Sequence, residues 1–96
     1  MNLSITDITA TNATLSWEPP ANDGGTPVTG YHVERCVKDT ERWVRQTRAP
    51  VTETAYMDEK LMEGSIYQYR AVAINKRGES VPSEPTEPFT AKNPYG

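Results

Sequence analysis

The sequence predicts an all-β fold, a sandwich of two antiparallel sheets with seven strands. Three observations carry that expectation. Apolar and aromatic side chains alternate with polar ones at a period of two in several short runs, most clearly over Tyr67–Ile74. Clusters of Gly, Pro, Asn and Asp separate the runs at intervals of about eight to twelve residues. No stretch shows the 3.6-residue period of a helix.

The elements follow in order. Leu3, Ile5 and Ile8 make a short first strand, with a turn at Thr11-Asn12. Ala13, Leu15 and Trp17 alternate with Thr14, Ser16 and Glu18 in a second strand whose indole points inward. Pro19-Pro20 stops it, because proline cannot donate to a ladder. Asn22 to Pro27 reads as a loop on turn chemistry alone. The third strand runs near Thr29–Cys36, with Tyr31 and Val33 inward and His32, Glu34 and Cys36 outward. After the polar turn Lys38–Glu41, a fourth strand spans Trp43–Thr47, and Tyr56 marks a short fifth.

The sixth strand organises the rest. Tyr67, Tyr69, Ala71 and Ala73 fall on one side, and Gln68, Arg70, Val72 and Ile74 on the other. The Gly64 turn with Tyr67 three residues on has the form of a tyrosine corner, in which a phenol near a strand start bonds to backbone just upstream. Asn75 to Glu79 is the next hairpin turn. A last strand through Thr86, Phe89 and Ala91 is interrupted by Pro82, Pro85 and Pro88, which places it at a sheet edge. The expected core is Trp17, Tyr31, Val33, Leu61, Tyr67, Tyr69 and Ala71. One domain is expected over 1–91, with a linker beginning at 92–96.

Ninety-six residues suit one domain. Leu, Ile, Val and Phe supply only fifteen of them, below the roughly 20% typical of folded chains. The net charge of −3, five Tyr, two Trp and the regular alternation favour a folded domain with a modest core. Ten Lys and Arg against thirteen Asp and Glu are spread along the chain without the basic stripe of a nucleic-acid binder. No apolar run reaches the roughly eighteen residues of a membrane span. Met1-Asn2-Leu3-Ser4 does not read as a signal peptide and suits the start of an excised domain. The single cysteine, Cys36, excludes an internal disulfide and leans toward the cytosol; the sequons at Asn2 and Asn12 lean the other way.

Trp17-Glu18-Pro19-Pro20, Asp23-Gly24-Gly25 and Gly30-Tyr31-His32-Val33-Glu34 resemble the front half of a fibronectin type III domain, an immunoglobulin-like sandwich. Tyr56-Met57-Asp58, Leu61, Glu63-Gly64, Tyr67, Tyr69-Arg70, Ala73, Asn75, Gly78 and Ser80 to Ser83 resemble its back half. The Pro-Pro, Asp-Gly-Gly, Thr-Pro and Gly-Tyr series, with Ala91-Lys92-Asn93-Pro94-Tyr95 at the end, is similar to repeats of giant muscle proteins such as titin and twitchin. The resemblance implies a non-catalytic spacer and docking module of a tandem-repeat scaffold, cytoplasmic and in the A-band of the sarcomere. Its implied partners are neighbouring immunoglobulin or fibronectin type III domains, and myosin or other thick-filament proteins. The isolated domain is expected to be a monomer. The alternative implied is an extracellular repeat of a receptor or matrix adhesion protein. In adhesive members of the family the penultimate hairpin carries Arg-Gly-Asp; here it reads Arg77-Gly78-Glu79, taken as a tight turn with Gly78 at positive φ.

No catalytic, cofactor or metal constellation emerges from the residues. Cys36 is read as passive, since no base is fixed beside it. His32 lacks companion ligands and is read as solvated. Asp58, Glu59 and Glu63 are read as turn caps. Asp23-Gly24-Gly25 lacks the Lys and the following helix of a phosphate loop. Trp43 has two open placements: packed between the sheets, or facing out beside Arg45 as an interface anchor. The candidate protein-binding residues are Arg70, Val72, Ile74 and Arg77, on the outer face of the sixth strand and the hairpin after it.

Overall fold

The computed structural model describes residues 2–20, 27–80 and 82–93. Most of the expected Asn22–Pro27 loop, including Asp23-Gly24-Gly25, and residues 94–96 of the expected linker lie outside them. The strands are β1 (Ser4–Ile8), β2 (Ala13–Ser16), β3 (Gly30–Val37), β4 (Trp43–Arg45), β5 (Ala55–Asp58), β6 (Ile66–Asn75), β7 (Gly78–Glu79) and β8 (Phe89–Thr90). They form a small sheet ordered β1-β2-β5 and a large one ordered β4-β3-β6-β7, with β8 also paired to β6. All pairings are antiparallel. The molecule is an all-β sandwich.

The core lies where the period-two pattern puts it. Leu15, Val33 and Tyr69 are among the most deeply buried side chains, and Trp17, Tyr31, Leu61, Tyr67 and Ala71 are buried with them. Trp17 meets Tyr31 edge-on at 5.5 Å, and Phe89 stacks on Tyr69 at 5.8 Å. At the entrance to β6 the Tyr67 hydroxyl accepts the Met62 N–H at 2.8 Å, which closes the tyrosine corner. Gly64 has φ +87° in that turn, a conformation open to glycine without strain.

β7 and β8 are the two ends of a single course along β6, and that course has its own rule. The N–H groups of Ser80, Ser83 and Thr86 donate to the carbonyls of Ala73, Ala71 and Tyr69. The hydroxyls of the same three residues accept the N–H groups of Ala73, Ala71 and Tyr69 at 2.9–3.1 Å. A period of three on one side thus meets a period of two on β6. Three residues per turn is the polyproline II repeat, and Pro82, Pro85 and Pro88 occupy the third place of each triplet, where no N–H is called on. The hydroxyls replace the carbonyls that a regular strand would present. The sequence signal was present in the Ser/Thr-x-Pro repeat but read only as a strand broken by prolines.

Asp58 has a larger role than a turn cap. It does accept the Lys60 N–H at 3.0 Å. It is also fully buried, and its Oδ2 accepts from Arg35 at 2.6 Å and from the Tyr69 hydroxyl at 2.7 Å. A carboxylate of the small sheet is therefore held by two side chains of the large one. The Arg35 guanidinium lies 5.2 Å from the Tyr67 ring centroid, adding a cation–π contact to the clamp. Burial, then the hydrogen bond to Asp58, push the Tyr69 phenol well above its ordinary value.

Candidate protein-interaction face

The outer face of the large sheet follows from register. Because β3 pairs β6 with His32 opposite Val72 and Glu34 opposite Arg70, and β4 pairs β3 with Arg45 opposite Glu34 and Trp43 opposite Cys36, the outward side chains form rows. One row reads Trp43, Cys36, Gln68. The next reads Arg45, Glu34, Arg70. Above it come His32 and Val72, then Ile74, whose partner on β7 is Glu79.

Charge knits the rows together. Glu34 accepts from Arg70 Nε at 2.7 Å through one oxygen and from Arg45 at 3.2 Å through the other. Arg45 also forks onto Glu79, both bonds at 2.8 Å. Those hydrogen bonds raise the Arg45 pKa and hold the Glu79 carboxyl below its ordinary value. The Arg45–Glu79 bridge runs diagonally from β4 to β7, over the row that holds His32 and Val72.

Two expectations for this row are corrected. His32 is not solvated: it is buried, with Nδ1 2.6 Å from the Thr47 hydroxyl. Val72 is only 2% exposed, so it offers no surface to a partner. Ile74 is half-buried and Arg77 is exposed in the hairpin turn, where its N–H donates to Asn75 Oδ1 at 2.8 Å. Gly78 has φ +128°, the left-handed turn position expected of it. Glu79, the third residue of Arg77-Gly78-Glu79, has both carboxylate oxygens engaged by Arg45.

Trp43 takes the outward placement. It is half-buried, and the Arg70 guanidinium stacks 4.4 Å above its ring centroid. Cys36, in the same row, is buried, and its thiol donates to the Val37 carbonyl at 3.5 Å. Below this row the face continues through Ile66 and ends in a cleft of about 250 Å³, lined by Lys38, Ile66, Gln68 and Pro88 among others. Of the candidate residues named from sequence, Arg70 and Ile74 lie on this face. Glu34, Arg45 and Glu79 were missed, because strand register alone brings them together.

The fold and this face define a class: an immunoglobulin-like β-sandwich whose most organised surface is a paired-charge and aromatic ladder. Comparison with known proteins narrows the class. The model of the fibronectin type III domain matches residues 1–89, and the chain belongs to that family. The chain is 47% identical over 85 residues to human fast-type myosin-binding protein C, a match that covers 88% of the chain and 7% of the relative. A crystal structure of titin domains superposes with a TM-score of 0.88 at 39% identity, covering 96% of this chain and 31% of that one. The twitchin kinase region of C. elegans gives 0.87 at 36% identity, covering 96% and 16%. The chain thus spans only 7–14% of the length of its curated myosin-binding protein C relatives.

Proposed function

We propose that the chain is a non-catalytic module of a tandem-repeat muscle scaffold, acting as a spacer and as a docking surface for thick-filament proteins. The observation that carries this reading is the likeness, at 36–47% identity over most of the chain, to single modules of myosin-binding protein C, titin and twitchin. The folded domain runs over 1–91 and an inter-domain linker starts at 92–96. Its immediate partners are the neighbouring immunoglobulin or fibronectin type III domains, its place is the cytoplasmic A-band of the sarcomere, and myosin is the first filament protein to test.

The shape supports a serial arrangement. The longest axis of the molecule is 46 Å. Asn2 lies near Glu18 before β1 begins, whereas the Asn93 side chain accepts the Ala10 N–H at 3.1 Å just beyond the other end of β1. The chain therefore enters and leaves at opposite poles, as modules threaded in line must.

Co-sedimentation with myosin filaments tests the reading. A fragment holding this module between its natural neighbours should pellet with the filaments, and should pellet less when the module is replaced by an unrelated sandwich domain. Equal recovery of the two fragments would remove the docking role.

A further inference from the structure

The charged network of the outer face engages every carboxylate oxygen and leaves some of its cationic donors open. Both oxygens of Glu34 and both oxygens of Glu79 are bonded to arginines. Arg45 spends both terminal nitrogens on the two glutamates. Arg70 spends only Nε; among the described residues its two terminal amino groups have no hydrogen-bond partner, and neither has the Lys38 amine. The charged groups of this face that remain open are cationic.

Arg70 is also held still. Glu34 fixes one edge of its guanidinium and the Trp43 ring supports its plane at 4.4 Å. A planar fork pre-set in this way suits the two oxygens of a carboxylate better than a mobile ammonium does, and less side-chain freedom is lost on binding. Ile66, Gln68 and Arg70 are successive outward positions on β6, about 6.8 Å apart. The cleft lined by Ile66, Gln68, Pro88 and Lys38 therefore adjoins the fork at the same spacing.

We infer that Trp43, Arg70 and the Ile66–Pro88 cleft form a receptor for an extended acidic segment of a partner protein, one with an apolar side chain two positions from a carboxylate. The apolar side chain enters the cleft, the carboxylate takes the Arg70 fork, and Lys38 attracts a second acid. Extended chain repeats at the same roughly 6.8 Å for every second residue, which matches the β6 positions beneath it. The apolar cleft, and the lack of a basic stripe along the chain, favour a peptide over a nucleic acid. This inference rests on the docking role proposed above and names the chemistry of the docked segment.

The test is a titration of the isotope-labelled domain, followed by amide and indole NMR signals, with the peptide acetyl-Ser-Gly-Leu-Ser-Glu-Gly-Ser-amide. Signals of Ile66, Gln68, Arg70 and the Trp43 indole should move together, with a Kd of about 1 mM or tighter, in the range expected of a short motif. A peptide with Gln in place of Glu should bind several-fold more weakly. Arg70→Lys, which keeps the charge and loses the fork, should weaken binding, and Lys60→Ala, at an exposed position after β5 of the other sheet, should leave it unchanged. Equal binding of the Glu and Gln peptides, shifts confined to another surface, no shift at millimolar peptide, or a stronger response to an oligothymidine would each overturn the inference. Myosin co-sedimentation retained after Arg70→Gln, together with no peptide response, would overturn this site alone; peptide binding without co-sedimentation would overturn the muscle reading and leave the site.

Discussion

Inside the sandwich, Trp17 is 4% exposed and sits edge-on to Tyr31; outside it, Trp43 is half-buried and lies face-on beneath Arg70. Around Trp17 the neighbours are apolar, and removal of area from water is the main stabilising term. Around Trp43 they are Arg70, Glu34 and Arg45, and partial desolvation strengthens contacts that water would otherwise screen. The same side chain thus serves as core filler in one place and as a platform for a cation in the other. The inner face keeps one exception of its own, Asp58, whose charge is tolerated there because Arg35, Tyr69 and the Lys60 N–H all bond to it.

Breaking that exception should have the largest effect. Asp58→Ala leaves Arg35 without its anion and should cost about 3–5 kcal/mol, read from urea denaturation; a loss under about 1 kcal/mol would mean that the clamp is not needed. Trp17→Ala or Leu61→Ala should cost about 2–5 kcal/mol, whereas Trp43→Ala should cost only about 1 kcal/mol, the scale of a partly exposed cation–π contact. Similar losses at the two tryptophans would erase the contrast between the faces. Thr86→Val keeps the shape but removes the acceptor of the buried Tyr69 N–H, and should cost about 1–3 kcal/mol. If Thr86→Val proves neutral, the triplet hydroxyls do not stand in for ladder carbonyls.

Proton linkage sharpens the comparison further. The folded-state pKa of Tyr69 is raised above its ordinary 10.0, so its contribution is complete below that value. It is lost as pH rises beyond, when the unfolded chain releases the proton first. The alkaline slope of stability should shrink in Tyr69→Phe by about 1.4 kcal/mol per pH unit, one proton's worth; an unchanged slope would place the phenol in contact with water. Glu79 has the opposite sign. Its folded pKa is lowered from 4.5, so its contribution is present above that value and fades as pH falls through the folded one. Glu79→Gln should flatten the acid limb slightly, and added salt should hide the difference, because this carboxylate is exposed and screened.

The environment of Val72 is not written in its local sequence. Its outward parity was visible in the alternation from Tyr67 to Ile74, so it counted as surface. It is nonetheless buried, in a row spanned by Arg45 and Glu79, which lie 27 residues before it and 7 after it in sequence and meet across two intervening strands. His32 was misjudged for the same reason, and Asp58 because a buried carboxylate and a turn cap look alike in one dimension. The tyrosine corner was visible because Tyr67 and Met62 are close in sequence.

By itself, then, the amino-acid sequence determined the sandwich, the inward set from Trp17 to Tyr69, the turns at Gly64 and Gly78, and the edge position of the proline-rich course. These depend on parity, turn chemistry and missing donors, all local properties of the chain. Only the tertiary structure decided which way Trp43 faces, which charges meet on the outer sheet, and that Asp58 ties the two sheets together. Each of those is a pairing across strands, and a one-residue change of register would alter it while leaving the local pattern intact.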